Sequence, residues 1–112
     1  MATNKRESPI QSSIIEYLEA QGAKVFNPKT TSYSRKGTPD LAVCFHGIFI
    51  GIEVKAPGKR PTKLQKLRIE QIREAGGFAF ATDNLTEVKE FINDISTIQL
   101  CRKSEWWSTI HT

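Results

Sequence analysis

The fold is decided by residues 40–55, which read DLAVCFHGIFIGIEVK. Two apolar runs flank His46-Gly47, a pair short enough to form a two-residue hairpin turn. With that turn, apolar residues face each other on one side of the hairpin, whereas a one-residue shift would mix the two sides. We therefore predict strands at about Asp40 to Phe45 and Ile48 to Lys55. Their apolar face consists of Val54 and three facing pairs: Phe45 with Ile48, Val43 with Ile50, and Leu41 with Ile52.

The same register places Asp40 directly opposite Glu53, with Cβ atoms ~5 Å apart. Lys55 lies two residues after Glu53 and points to the same side. Two facing carboxylates on such apolar strands repel each other unless a cation lies between them. Oxygen ligands favour Mg²⁺ or Mn²⁺, and the sequence has no His or Cys cluster typical of zinc. Lys55 would orient the attacking water or offset charge in a phosphorane-like transition state. A surface salt-bridge cluster of the three residues is the alternative.

The remaining segments predict a single mixed α/β domain over residues 1–100, followed by a tail over 101–112. The element order is α-β-β-β-α-β-α, with helices flanking a mixed central sheet. Ser8 caps the first helix, with Pro9 at its first position, and Thr62 and Thr86 cap the other two. Around the hairpin, the predicted segments are helix Ser8 to Gln21, strand Ala23 to Asn27, loop Pro28 to Gly37, helix Thr62 to Ala75, strand Phe78 to Ala81 and helix Glu87 to Leu100.

Three further side chains are candidates for the same site. Gln65 lies one helical turn before Ile69 and can point from the second helix toward the sheet, where it would hold a water or Lys55. Gln11 or Glu7 on the first helix could supply another oxygen to a metal. The alternatives are an ordinary helix amide for Gln65 and exposed polar residues for the other two.

Positive charge is concentrated in one segment. The chain has a net charge of +4, and residues 55–73 carry seven Lys or Arg residues against the single acid Glu70. The preceding loop adds Tyr33, Arg35 and Lys36. Such a patch suits a phosphate backbone, although a solvated helix face is the alternative.

From its hydropathy we expect a cytoplasmic protein. No apolar run approaches the ~20 residues of a membrane helix, and the first residues lack the apolar stretch of a secretory signal. Cys44 and Cys101 are far apart and not in metal-ligand spacing, so neither a disulfide nor a metal site is expected of them. Cys44 is expected to be a small core residue.

Four motifs together resemble the VRR-NUC branch of the PD-(D/E)XK nucleases, over roughly residues 7 to 85. The motifs are Gly37-Thr38-Pro39-Asp40, Ile52-Glu53-Val54-Lys55, the basic run from Gly58 to Gln65, and Ala75-Gly76-Gly77. The resemblance implies a restriction-endonuclease-like core and phosphodiester hydrolysis that depends on Mg²⁺ or Mn²⁺. It also implies site residues: Asp40, Glu53 and the carbonyl of Val54 as metal ligands, Lys55 as the catalytic lysine, Gln65 as the motif glutamine, and Gln11, or else Glu7, as the first-helix ligand.

Standalone members of this branch are phage or bacterial proteins that dimerise and cut branched DNA such as Holliday junctions. The resemblance thus implies a homodimer in a bacterial or phage-infected cell. The third helix and Trp106-Trp107 would supply the interface, unless that helix merely covers the sheet. Phosphate contacts would come from Arg35, Lys36, Lys59, Arg60, Lys63 and Lys66. The alternatives are a sequence-specific or RNA-directed nuclease, and a non-catalytic nucleic-acid-binding or protein-binding module.

Overall fold

A computed structural model describes residues 7–27 and 36–96, with the side chains of residues 7 and 8 excepted. The predicted element order and the α/β class are confirmed. A third helix, α3, covers residues 85–96. The other elements are α1 (Glu7–Ala20), β1 (Lys24–Phe26), β2 (Leu41–Phe45), β3 (Ile48–Val54), α2 (Lys63–Glu74) and β4 (Phe78–Thr82).

The β2–β3 hairpin has the predicted register. Leu41 pairs with Ile52, Val43 with Ile50, and Phe45 with Ile48. His46 and Gly47 both have positive φ, at 50° and 85°, as a tight two-residue hairpin turn requires. The side-chain pattern and the turn therefore fix the same alignment.

The sheet is mixed and has the strand order β1-β2-β3-β4. β1 and β2 are antiparallel, whereas β4 pairs with β3 in parallel. A parallel neighbour needs a crossover connection, and α2 provides it. The chain therefore brings the carboxyl ends of β3 and β4 to one edge of the sheet, beside the N-terminus of α2.

The two faces of the sheet differ. One face carries the predicted apolar side chains, which form a core with Ile14 and Leu18 of α1 and with Val88, Ile92 and Ile95 of α3. On the other face α2 packs across β3 and β4, where Ile69 is buried. Gly51 permits this approach, because a Cβ there would lie 3.0 Å from Cδ1 of Ile72. The α2 face is the one on which Glu53 projects.

Two predicted helix caps are wrong. α1 begins at Glu7, so Ser8 and Pro9 lie inside its first turn, where backbone N–H groups have no intrahelical acceptor. α3 begins at residue 85, and its cap is Asn84, whose side-chain oxygen accepts a hydrogen bond from the Glu87 N–H at 2.9 Å. Thr86 lies within the helix. In both cases a polar residue close to the start of the helix has the side chain expected of an N-terminal cap, so the sequence alone does not identify the capping residue.

The prediction that Cys44 is a core residue is also wrong, because Cys44 is exposed. It alternates with the buried Val43 and Phe45, so it lies on the opposite face, between Lys24 of β1 and Phe49 of β3. α2 crosses β3 and β4 and leaves this part of the sheet open.

Some predictions fall outside the described residues: the loop over 28–35, the end of the third helix, and the tail with Cys101 and Trp106-Trp107. Among the helices that the structure does describe, none combines the length and apolar composition needed to cross a membrane.

Candidate active site

The carboxyl end of β3 brings Glu53, Val54 and Lys55 to the sheet edge. The alternation of the strand sends Val54 into the core, so Glu53 and Lys55 project on the α2 side. Glu53 is almost completely buried, with 2% of its surface exposed. The Lys55 N–H donates to the carbonyl of Thr82 at 2.9 Å, which continues the pairing to β4 past the end of β3. Backbone pairing on this side thus holds Lys55 in place.

Gln65 connects α2 to these residues. Thr62 caps α2, and its side chain accepts from the Gln65 N–H at 3.1 Å. In return, Oε1 of Gln65 accepts from the Thr62 N–H at 2.8 Å, which completes a capping box. The same side chain donates from Nε2 to Oε2 of Glu53 at 2.7 Å and accepts from Nζ of Lys55 at 3.4 Å. The structure therefore places Gln65 against both Glu53 and Lys55.

Asp40 approaches from β2. The β2–β3 ladder ends at the Leu41–Ile52 pair, so Asp40 lies one residue before the strand. Its Oδ2 accepts a hydrogen bond from the Val54 N–H at 2.9 Å. Asp40, which the sequence predicted directly opposite Glu53, is thus bound to the backbone amide of Val54, the residue after Glu53. This contact fixes the Asp40 carboxylate at the carboxyl end of β3.

A buried carboxylate destabilises a fold unless charged or hydrogen-bonding groups compensate for its lost hydration. At Glu53 the compensation includes the Gln65 amide and the Lys55 ammonium, whose Nζ lies 3.9 Å from Oε2. The side chain of Lys55 is only 16% exposed. This cluster is therefore not the surface salt-bridge group that the sequence left open as an alternative.

Solved structures of known proteins share this fold. One described as a VRR_NUC domain aligns with a TM-score of 0.68 and 30% sequence identity, over 79% of this chain and 95% of that one. The chain belongs to the VRR_NUC family. A second solved structure, described as a VRR_NUC domain protein, has a TM-score of 0.61, 20% identity and coverage of 83% and 89%, and supports the fold alone. Neither a scan against protein-family models nor a comparison with curated proteins gives a match.

Membership of the VRR_NUC family implies a nuclease of the PD-(D/E)XK type acting on DNA. Nucleases of this family are typically metal-dependent. The oxygen donors at the end of β3 fit Mg²⁺ or Mn²⁺: the carboxylates of Asp40 and Glu53 and the backbone carbonyl of Val54. Within residues 7–27 and 36–96, no three His, Cys, Asp or Glu side chains gather as a metal-binding group. A small protein ligand set is usual for Mg²⁺, which keeps several waters.

The first-helix ligand stays a prediction. Gln11 is half-buried on α1, and α1 packs against β1 and β3. The side chain of Glu7 lies outside the described part of the chain.

The basic residues of this VRR_NUC domain divide into two groups. Lys36, Lys59, Arg60, Lys63 and Lys66 are exposed, and Arg35 lies outside the described residues. By contrast, Arg68 donates to the carbonyl of Lys36 and to Gln71, both at 3.0 Å. Arg73 donates to the carbonyl of Ala79 at 3.0 Å and pairs with Glu70. Together with Lys55, which contacts Glu53 and Gln65, three of the seven cations in the basic segment therefore bind the protein itself.

Asp83, which is not among the residues predicted for the site, follows β4 at the same sheet edge. Its Oδ2 accepts from the Gly58 N–H at 3.2 Å, and its Oδ1 accepts from Nδ2 of Asn84 at 2.7 Å. The Asn84 amide, followed by the Gly58 N–H, lowers the pKa of the Asp83 carboxyl. The available signal was a polar Asp83-Asn84 pair at the carboxyl end of a strand parallel to β3, where functional side chains often gather.

Proposed function

We propose that this protein is an endonuclease that hydrolyses phosphodiester bonds in DNA with the help of Mg²⁺ or Mn²⁺. The observation that carries the proposal is the buried carboxylate of Glu53, contacted by Gln65 and Lys55, beside an Asp40 that is anchored on Val54. An acid of this kind, at an edge reached by several elements and close to exposed cations, suits a hydrolytic centre better than a purely structural ion pair.

Asp40, Glu53 and the Val54 carbonyl would hold the metal, and Gln11 or Glu7 would supply a further oxygen from α1. When bound, such an ion activates a coordinated water and polarises a phosphoryl oxygen. Asp40 and Glu53 would be fixed for this task by hydrogen bonds to their oxygens, which limits their reorganisation during the reaction.

Lys55 would act on the reacting phosphate. Its Nζ is close to Glu53 and Gln65, and its side chain remains partly exposed, so the ammonium can reach a phosphate at the edge of the sheet. A cation there would orient the attacking water or stabilise the negative charge of the transition state. Gln65 would hold Glu53 and Lys55 at a constant separation, because its amide contacts both.

Substrate recognition would rest on phosphates. Lys59, Arg60, Lys63 and Lys66 are exposed beside the site, and Arg35 and Lys36 would extend the surface. Contacts of this kind read charge and shape rather than base sequence. We therefore favour branched DNA, such as a four-way junction, and a homodimer, since a symmetric junction needs two active sites. A sequence-specific enzyme would need further elements for reading bases in the major groove.

Cleavage assays on matched substrates test the proposal. The purified protein is incubated with a four-way junction, a flap, a linear duplex and a single-stranded RNA of related sequence, with Mg²⁺, with Mn²⁺ or with EDTA. We expect metal-dependent cleavage that is fastest on the junction, and a dimer by light scattering. Equal cleavage of junction and linear duplex would remove the preference for branched DNA. Selective cleavage of RNA would support the RNA-directed alternative, and no cleavage of any substrate would leave a non-catalytic binding module.

A further inference from the structure

A crevice of ≈ 390 Å³ lies beside Lys55, at the carboxyl ends of β3 and β4. One wall is the loop over residues 56–61, which follows β3, and the other is formed by Asp83 and by Glu87 of α3. Lys59 and Arg60 line the loop wall. Three cations therefore border one cavity that continues from the candidate active site.

A hydrogen bond across the crevice ties the loop to Asp83, the residue that follows β4. Oδ2 of Asp83 accepts from the Gly58 N–H at 3.2 Å, although the two residues are 25 positions apart. Within the loop, the Lys59 N–H donates to the carbonyl of Ala56 at 3.0 Å. Gly58 has a φ of +80°, which turns the backbone at this point and is favourable only for glycine among ordinary residues. The backbone at Gly58 and Lys59 is thus tied at both sides of the turn.

Asp83 is itself held in place. Nδ2 of Asn84 donates to its Oδ1 at 2.7 Å, and the Asn84 N–H donates to the hydroxyl of Thr82 at 3.2 Å. The hydroxyl of Thr82 also contacts Glu87. Both carboxylate oxygens of Asp83 therefore accept hydrogen bonds from uncharged donors. Lys59 and Arg60 remain exposed and form no ion pair with any residue in the described part of the chain.

We propose that Asp83 is a positioning residue for substrate binding: it holds the 56–61 loop so that Lys59 and Arg60 bind a backbone phosphate next to the one cleaved at Lys55. This inference rests on the proposed function, because it assumes that the substrate is a nucleic acid. It adds a path for the bound strand, which would run along the crevice from the carboxyl end of β3 toward α3. An acidic side chain that faces a polyanion weakens binding by repulsion, unless the acid positions cations that bind the polyanion.

The direction in which DNA affinity changes when Asp83 is replaced distinguishes this positioning role from a merely electrostatic one. Removing an acid near bound DNA should strengthen binding by simple charge, because repulsion is lost. If Asp83 organises the loop, Asp83→Ala should instead weaken binding. We expect the Kd for a four-way junction, measured in EDTA, to rise about fivefold. The plot of log K against log salt concentration should become less steep by about one unit, which corresponds to the loss of one phosphate contact. Asp83→Asn should retain most of the affinity, since its oxygen can still accept from Gly58.

Two controls complete the experiment. Asp94→Asn removes an exposed acid on α3 and should leave the Kd unchanged or slightly lower it. A double-mutant cycle compares Lys59→Ala in the wild type and in Asp83→Ala; a smaller loss in the second background is expected if Asp83 acts through Lys59. Independent losses at the two positions, or tighter binding by Asp83→Ala, would overturn the inference.

Amide hydrogen exchange gives a readout that does not depend on DNA. The Gly58 and Lys59 amides should exchange faster in Asp83→Ala than in the wild type, while amides of β2 and β3 are unchanged. Unchanged exchange at Gly58 would contradict the inference even if the protein binds and cuts DNA. A wild-type protein that binds no nucleic acid would instead refute the proposed function, and with it the phosphate subsite.

Discussion

The amide of Gln65 donates a hydrogen bond to Oε2 of Glu53 at 2.7 Å, while its carbonyl oxygen accepts from the Thr62 backbone N–H at 2.8 Å. One side chain therefore both closes the N-terminus of α2 and holds the buried acid at the end of β3. Because the capping box fixes where α2 begins, it also fixes the distance between that helix and the carboxylate. Helix capping and the geometry of the candidate active site therefore depend on the same residue.

Gln65→Glu should separate these two tasks. Glutamate also serves in a capping box, so α2 should still start at Thr62. Its carboxylate would replace the amide donor beside Glu53 and repel it. We expect metal-dependent DNA cleavage to fall about 10–100-fold, as is typical when a partner of a metal ligand is changed. The matched control is Thr62→Ala, which should lose about 1 kcal/mol of stability but keep most of the activity. Wild-type cleavage by Gln65→Glu would contradict the assigned role.

Two substitutions at Asp40 distinguish its structural and chemical contributions. Asn can still accept the Val54 N–H, whereas Ala cannot, and a buried amide without an acceptor costs about 1–3 kcal/mol. Urea unfolding should therefore show Asp40→Asn closer to the wild type than Asp40→Ala. Both variants lack the carboxylate charge, so both should lose metal-dependent nicking in a plasmid assay. Full nicking by Asp40→Asn would remove Asp40 from the metal site.

The sequence predicted the hairpin because a two-residue turn and a period-two apolar pattern allow only one register. From that register follow the positions of Glu53 and Lys55. Two further contacts could not be read from the pattern: the Asp40–Val54 bond and the Gly58–Asp83 bond, which depends on parallel pairing of β3 and β4. The sequence separation of two residues does not predict their contact when a crossover connection between parallel strands brings them together.

Cys44 shows the other limit of the sequence. A strand made only of apolar residues has the same sequence pattern whether one or both of its faces are covered. Only the position of α2 determines which part of the second face is buried. α2 crosses β3 and β4, so the outer side of β2 remains exposed at Cys44 and the neighbouring Phe49 is 45% exposed. Gln65, by contrast, was predicted to point toward the sheet, because its helical spacing to Ile69 is independent of where the helix lies.

Gly51→Ala should weaken the packing of α2 on β3. The added Cβ would lie 3.0 Å from Cδ1 of Ile72 and 3.2 Å from Cγ of Pro39. A lower entropy of the unfolded chain would stabilise the variant by about 0.4–1 kcal/mol, but overpacking costs about 1–3 kcal/mol, so net destabilisation is expected. Urea unfolding measures the difference.

Ile72→Val tests the cause of that destabilisation. Because it removes Cδ1, it should cost less stability in the Gly51→Ala background than in the wild type. Cys44→Ala, on the exposed part of the same sheet face, is the control and should change the free energy of unfolding by less than about 0.5 kcal/mol. Additive effects of Gly51→Ala and Ile72→Val would show that Ile72 is not the obstacle.

Asp83 should also leave a signature in the pH dependence of stability. Hydrogen bonds from Asn84 and Gly58 lower its pKa below the ordinary value of 3.8 in the folded protein. The ionised form is thus favoured by folding, so its stabilising contribution is complete above that value and is lost as the pH falls through the lower, folded-state pKa. Asp83→Asn cannot titrate. The difference in Tm between wild type and Asp83→Asn should therefore be constant from about pH 5 to pH 8 and should shrink below about pH 4. A difference that is independent of pH down to the acid limit of folding would show that Asp83 has the same pKa in the folded and unfolded chains.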